Sequence, residues 1–378
     1  MTGVMLVHAD SLHIPLADQC CQMICTSPPY WGLRSYGIGA SQGELGGEAV
    51  HDCLGWAAGR GCGECYVCHL VAVGRELWRV LRNDGCLFLV LGDSYAKKQL
   101  SGVPWRVALA LQADGWILRS EIIWAKPNPM PESVTDRPTK THEQVFLLAK
   151  SPTYFYDAEA IKEAGHGGLD CYPASRGTLG HTGWARRTLE TWTGRNSRSV
   201  WSLPTESYTG AHFATMPTAL VERCIKAGTS ERGCCPACGT PWVRTVQRLT
   251  GDVPSYNGSS FQRGKTHDAR APLAPVGQGE RTVAVHTTGW ESACQCEAGP
   301  PVPCLALDPF VGSGTVPLVA RALGRHGVGL DLSYAYLHDQ ARARLQLNAL
   351  AQWEGTQRPP AGIDDYTGLP LFKNEGAS

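Results

Sequence analysis

Thr26-Ser27-Pro28-Pro29-Tyr30-Trp31 follows the apolar run Met23-Ile24-Cys25, which reads as a buried strand opening onto a rigid turn. Each proline fixes its own φ and restricts the residue before it, so the carbonyls just after Ser27 are held in set directions. Two aromatic side chains follow at once. Fixed acceptors beside an aromatic platform can grip the exocyclic amino group of a nucleobase drawn out of its stack. Ser27, Pro28, Pro29 and Tyr30 are the candidate catalytic residues, with Trp31 as a weaker candidate for base or DNA contact. Without that chemistry, the same residues make a strand-ending turn with a surface aromatic.

Far downstream, Leu305-Ala306-Leu307-Asp308-Pro309-Phe310-Val311-Gly312-Ser313-Gly314-Thr315 reads as a strand, a glycine turn and the start of a helix. Glycines there let the backbone approach a ligand, and free N–H groups opening the helix can bind a carboxylate. A second strand, His326 to Asp331, ends in an acid about twenty residues on, the distance at which a ribose-hydroxyl acceptor is found in Rossmann-like folds. The candidate cofactor residues are Asp308, Pro309, Phe310, Gly312, Ser313, Gly314, Thr315 and Asp331. A nicotinamide dinucleotide fits less well than S-adenosylmethionine, because the turn carries Asp-Pro-Phe and lacks the full G-x-G-x-x-G spacing. A plain βαβ unit with a helix-capping Asp is the bland alternative.

Together the two motifs resemble the β class of amino-DNA methyltransferases, whose catalytic segment precedes the cofactor segment. The resemblance implies a Rossmann-like α/β methyltransferase dependent on S-adenosylmethionine, permuted so that the catalytic half comes first. It places Asp10, within His8-Ala9-Asp10-Ser11-Leu12, near the cofactor adenine. The turn from Asp308 to Thr315 falls to the methionine moiety and Asp331 to the ribose. Double-stranded DNA becomes the partner and base flipping the mode of access. Ser at the head of the tetrapeptide resembles the cytosine-N4 enzymes, whereas adenine-N6 enzymes more often carry Asp or Asn, so cytosine N4 is the expected target and adenine N6 the alternative. A 5-methylcytosine mechanism needs a cysteine nucleophile, and the one Pro-Cys pair, Pro303-Cys304, feeds the cofactor strand. More remote readings are a catalytically silent DNA-binding protein and a protein or RNA amide methyltransferase. The motifs come without a nuclease signature, so a solitary enzyme is the default expectation, with a role in restriction–modification beside a separate nuclease as the alternative.

Strands that alternate with helices must position these turns. Leu70 to Leu81, Pro104 to Asp114 and Thr218 to Ala227 read as helices, while Leu87 to Tyr95 and Gly115 to Pro127 resemble the family's middle strands and Val145 to Ser151, running into Tyr154-Phe155-Tyr156, a later one. This divides the chain into a catalytic half (1–156, with a Cys-rich insertion 48–69), a recognition region (157–211) and a cofactor-closing segment (212–232). A zinc-ribbon-like insertion (233–303), the cofactor half (304–350) and a tail (351–378) complete it. The recognition region carries Arg176, Arg186, Arg187, Arg195 and Arg198, which can pair with phosphates or with guanine edges. A solvated loop is the alternative.

Two cysteine clusters stand out among sixteen cysteines. Cys235 and Cys238 form a C-x-x-C knuckle, with Cys234 an alternative to Cys235, and Cys294 and Cys296 can complete a tetrahedral thiolate site. Closing the 55 intervening residues costs about 3 to 4 kcal/mol beyond a constant, against roughly 10 to 16 from structural zinc. Cys53, Cys62, Cys65 and Cys68 form a second candidate zinc site, in which iron–sulfur is the rival. Unrelated thiols would explain either cluster more simply. Formal charge is zero over 378 residues and charged residues make up 18%, so any grip on DNA must come from a local patch. With no apolar run near membrane-span length and no signal-peptide pattern, a cytoplasmic protein is expected.

Overall fold

The computed structural model describes residues 3–32, 45–48, 61–163, 194–206, 215–252 and 280–347. Its strands are β1 (Val4–His8), β2 (Cys21–Thr26), β3 (Leu81–Leu91), β4 (Tyr95–Ala96), β5 (Gln99–Leu100), β6 (Ile117–Ala125), β7 (His142–Ala149), β8 (Val200–Ser202), β9 (Val243–Asp252), β10 (Glu280–Glu291), β11 (Leu305–Asp308) and β12 (His326–Asp331). Eight of them form one sheet in the order β1-β12-β11-β2-β3-β7-β6-β8. β7 pairs antiparallel with both β3 and β6, and the other pairings in the sheet are parallel.

A sheet covered on both faces needs apolar residues on both, and β2 is buried along its whole length. In β3, Leu87, Leu89 and Leu91 join one core while Cys86, Phe88 and Val90 join the other. Helices α1 (Tyr66–Val80) and α2 (Val103–Ala113) pack into the first core. Helices α3 (Thr218–Gly228) and α4 (Thr315–Ala322) pack into the second. A short helix, α5 (Arg342–Leu345), follows a π-helical turn at Tyr336–Ala341. The expected helices are all present, but α1 begins a turn earlier than its hydrophobic period suggests. Its N-cap, Cys65, makes no side-chain capping bond, so the usual start signal is missing.

The chain leaves neighbouring strands β2 and β11 toward opposite faces, to α1 and α4 respectively. That makes their carboxyl ends a topological switch point, where open α/β sheets leave a ligand crevice. The tetrapeptide follows β2 and the glycine turn follows β11, so the two motifs meet there. The sheet, the permuted order and the helices on both faces agree with the α/β methyltransferase fold expected from the sequence.

The described residues divide into two compact units, one made of those within 1–161, 198–243 and 292–347 and the other of those within 162–197 and 244–291. Strand β8 lies within the segment read as a recognition region, yet it pairs with β6 and buries Trp201 in the second core. Three residues are too few to show a strand period. In the second unit β9 and β10 form a two-stranded sheet, and Glu163 pairs with Arg195 through backbone and side chain. No helix among the described residues is long and apolar enough to cross a membrane.

Candidate active site

The ends of β2 and β11 are tied by a hydrogen bond from Thr26 Oγ1 to Asp308 Oδ1 at 2.7 Å. Asp308 Oδ1 also accepts the Phe310 N–H at 3.1 Å. Asp308 is buried, and that burial pushes its carboxyl up to about 7 despite those two donors. Its observed contacts are thus with the turn and with β2. Asp331, at the end of β12, accepts the Gly312 N–H with one oxygen and the Ser333 N–H with the other, both at 2.9 Å. Burial raises its carboxyl as well. Ser11 Oγ donates to the Pro309 carbonyl at 2.8 Å, and Asp10 accepts the Leu12 N–H. The loop after β1 is thereby fastened to the glycine turn.

Gly312 and Gly314 have φ of +48° and +85°, and Gly314 is the N-cap of α4, with no side chain capping the helix. A side-chain carbon built at Gly312 would meet no atom of the described residues within 4 Å, so the turn is open at that position among them. Arg344 donates to Ser313 Oγ and Thr315 Oγ1, both at 2.8 Å, bracing the far side of the turn. Phe310 packs against the first core. An uncapped helix start, an open glycine backbone and acids on the adjoining strand ends suit a ligand with a carboxylate at one end and a ribose further along.

The tetrapeptide is held from three sides. Ser27 Oγ donates to Tyr30 Oη at 3.0 Å, and Tyr30 Oη donates to Glu143 Oε2 at 2.7 Å. The other Glu143 oxygen is paired with Lys126, whose ammonium lies 4.4 Å from the Trp124 ring centroid. Burial, followed by the Glu143 charge, raises the Tyr30 hydroxyl well above its ordinary range, so it stays protonated and can both accept and donate. Tyr66, the first residue of α1, donates to the Pro29 carbonyl at 2.7 Å. The Tyr30 ring lies against Gly92, and Trp31 Nε1 donates to the Glu48 carbonyl. Asp93 accepts the backbone N–H groups of Ser94, Gly102 and Val103, fixing the entry to α2. Lys140 donates to the Asp93 carbonyl, and desolvation lowers its ammonium.

Four thiols converge elsewhere. The sulfurs of Cys235, Cys238, Cys294 and Cys296 all lie within 4.8 Å of one another. Cys234 is outside that group: its Sγ lies 3.5 Å from Gln22 Nε2, and its backbone pairs with Val302. The sulfurs of Cys62, Cys65 and Cys68 form a second group, while Cys53 lies outside the described residues. Arg176, Arg186 and Arg187 also lie outside them. Arg195 is engaged by Glu163 at 3.1 Å, and Arg198 is exposed.

Thr26, Tyr66, Lys126 and Glu143 are absent from the sequence-derived site. Glu143 was hidden by topology. Because β7 runs antiparallel, its first residues stand at the edge where its neighbours end, and Glu143 pairs in register with Trp124. The available signal was the polar triplet His142-Glu143-Gln144 opening a strand that is apolar from Val145 on.

A family model described as DNA methylase matches residues 21–235. The chain is 39% identical over 248 residues to Type II methyltransferase M.SmaI of Serratia marcescens, covering 58% of this chain and 72% of that protein. It is 36% identical over 260 residues to Type II methyltransferase M.Cfr9I of Citrobacter freundii, covering 61% and 74%. Type II methyltransferase M.SfiI of Streptomyces fimbriatus is 29% identical over 381 residues, 86% of each chain. Among solved structures, the PvuII DNA methyltransferase (cytosine-N4-specific) superposes with a TM-score of 0.51 at 15% identity, over 92% of this chain and 88% of that one, a likeness of fold.

Proposed function

The chain belongs to the N6/N4 family of DNA methylases, and from that premise we propose that it methylates the N4 amino group of cytosine in double-stranded DNA, with S-adenosylmethionine as donor. The observation that carries the reading is the junction of the two turns. Thr26, one residue before Ser27, is bonded to Asp308, the first residue of the glycine turn. A base gripped by the first turn therefore adjoins a donor held by the second. Ser27 heads the tetrapeptide as in the cytosine-N4 enzymes it resembles, and the PvuII enzyme of like fold carries cytosine-N4 in its name.

Asp308 to Thr315, Asp10 and Asp331 are the residues proposed to hold S-adenosylmethionine, and the open backbone at Gly312 fits it. That donor supplies an electrophilic methyl on sulfur. The cytosine amino nitrogen is a poor nucleophile because its lone pair is delocalised into the ring. Ser27 Oγ and the Pro28 carbonyl accept its two hydrogens and turn the lone pair outward. The Pro29 carbonyl is already bonded to Tyr66, so the second acceptor falls to Pro28. Holding the reacting atoms at near-attack distance is worth on the order of 7 to 11 kcal/mol, and stacking on Tyr30 about 1 to 3 kcal/mol.

The proton released after transfer has an exit. Ser27 takes it as its own hydroxyl proton passes to Tyr30, and the Tyr30 proton passes to Glu143. The observed donor directions run that way at each step. Lys126 holds the Glu143 carboxylate in place.

Nucleoside mass spectrometry on DNA from cells expressing the chain, beside cells expressing Tyr30→Ala, tests the reading. N4-methylcytosine in the first and not in the second is expected. N6-methyladenine would retain the family and reverse the base, and no mark in either sample would overturn the proposed reaction.

A further inference from the structure

The four-thiol group lies at the opposite end of β2 and β11 from the proposed chemistry. Its Cys235–Cys238 arm is a tight turn, in which the Cys235 N–H bonds the Thr240 carbonyl at 2.9 Å and the Gly239 N–H bonds the Cys235 carbonyl at 2.8 Å. That turn is docked on the starts of three strands. Gln22, near the start of β2, donates to the Gly239 carbonyl at 3.1 Å and accepts the Leu305 N–H of β11 at 2.6 Å. Arg82, in β3, donates to the Cys238 carbonyl. The register between β2 and β3 shifts across Gln22, since Cys21 pairs with Leu81 and Met23 with Cys86. On the other side, Cys234 forms two backbone bonds with Val302, at 2.8 and 2.9 Å.

We propose that Cys235, Cys238, Cys294 and Cys296 bind one zinc ion, which acts as a structural clamp at the amino ends of β2 and β11. Zinc–sulfur bonds are about 2.3 Å and tetrahedral, which sets the sulfurs about 3.8 Å apart. The four sulfurs stand within 4.8 Å of one another, so a small inward movement completes the sphere. Soft thiolates in tetrahedral number select zinc over oxygen-seeking cations. Each thiol gives its proton to solvent as its sulfur donates to the metal, leaving a dianionic centre beside the Arg82 guanidinium. With all four positions taken by sulfur, no site remains for water or substrate, which is the signature of a structural rather than a catalytic ion.

The ion joins two segments separated by 55 residues, and those residues include β9 and β10. A two-stranded sheet alone is marginal in water. Clamping the chain just before and just after it holds its two feet together.

The test uses the full chain, purified without metal-affinity resin, with zinc and iron measured per chain by elemental analysis in the wild type and in Cys294→Ser/Cys296→Ser. Loss of one zinc equivalent in the double variant is expected. Cobalt added to the chelated protein should give the visible ligand-field bands of a tetrahedral tetrathiolate in the wild type, and these should be absent from the double variant. Cys296→His, which still offers a ligand, should regain the equivalent and guards against simple misfolding. S-adenosylmethionine affinity, read by calorimetry, should stay within about twofold of the wild type in Cys296→His. Unchanged zinc content in the double variant, or iron in place of zinc, would overturn the proposal.

Discussion

The two ends of strands β2 and β11 are built on opposite principles. At the carboxyl end, buried Asp308 and partly buried Asp331 are held with raised pKa, a hydroxyl chain runs from Ser27 to Glu143, and the glycine turn is open at Gly312 among the described residues. At the amino end, the Gln22 amide is used at both its nitrogen and its oxygen, and Cys234 is locked to Val302 by paired backbone bonds. Burying a charge costs stability unless it is compensated, and polar networks satisfied throughout stiffen a fold. One end of the sheet tolerates the first condition because the other supplies the second. Reactivity and rigidity are separated by the length of a strand.

The largest effect expected from breaking this division is on turnover. Tyr30→Phe interrupts the hydroxyl chain, and Glu143→Gln removes its terminal acceptor while keeping the shape. Both should lower kcat by about 10² to 10⁴, the usual span of general acid–base assistance. Binding of S-adenosylmethionine, measured by calorimetry, should hold. Wild-type turnover in both variants would remove the relay from the mechanism, and an equal loss of cofactor binding would show that these residues shape the whole site.

Asp308→Asn probes the stability cost at the same end. The folded-state carboxyl titrates at about 7, above its ordinary 3.8, so the folded state favours the protonated form. Its contribution is fully present below pH about 4 and is lost as pH climbs through about 7. Asparagine keeps an oxygen for Thr26 and Phe310 but does not titrate. Urea unfolding should therefore find the variant gaining on the wild type by a few kcal/mol as pH rises from about 5 to about 8. Parallel pH profiles for the two proteins would mean that Asp308 is ionised without penalty.

At the amino end the expectation inverts: stability falls and chemistry does not. Gln22→Leu strands the buried Leu305 N–H, at a cost of about 1 to 3 kcal/mol. Gly233→Ala is harsher in kind, because Gly233 has φ of +109° and a side-chain carbon there would lie 2.2 Å from the Val302 carbonyl oxygen. In Gln22→Leu, kcat at a temperature well below the transition should match the wild type. A fall in kcat alongside unchanged stability would show that the two ends are coupled.

The sequence made the carboxyl end legible and the amino end only half so. Proline pairs, glycine turns and strand-terminal acids are local signals, and Ser27, Gly312 and Asp331 announce themselves within a few residues. Glu143 could not be placed without knowing that β7 runs antiparallel, since the strand's period is the same in either direction. Gln22 was invisible because its role depends on partners more than two hundred residues away. Cysteine spacing pointed to the thiol cluster, but the choice between Cys234 and Cys235 needed the paired bonds that turn Cys234 inward. Short β8 carried too little pattern to be told from a loop.

The smallest expected change in stability is also the sharpest test of where the donor sits. Gly312→Ala places a methyl where no atom of the described residues stands within 4 Å, so its cost in the free protein is set by the left-handed backbone, about 1 to 2 kcal/mol. If the open space is where S-adenosylmethionine lies, the same methyl meets the ligand, and affinity should fall tenfold or more, equivalent to about 1.4 kcal/mol. Differential scanning calorimetry with and without the donor separates the two terms. A variant destabilised equally in both conditions would place the donor elsewhere. One that loses the ligand-induced rise in Tm, while its unliganded Tm drops only slightly, ties the glycine turn to the donor and leaves the amino end of the sheet untouched.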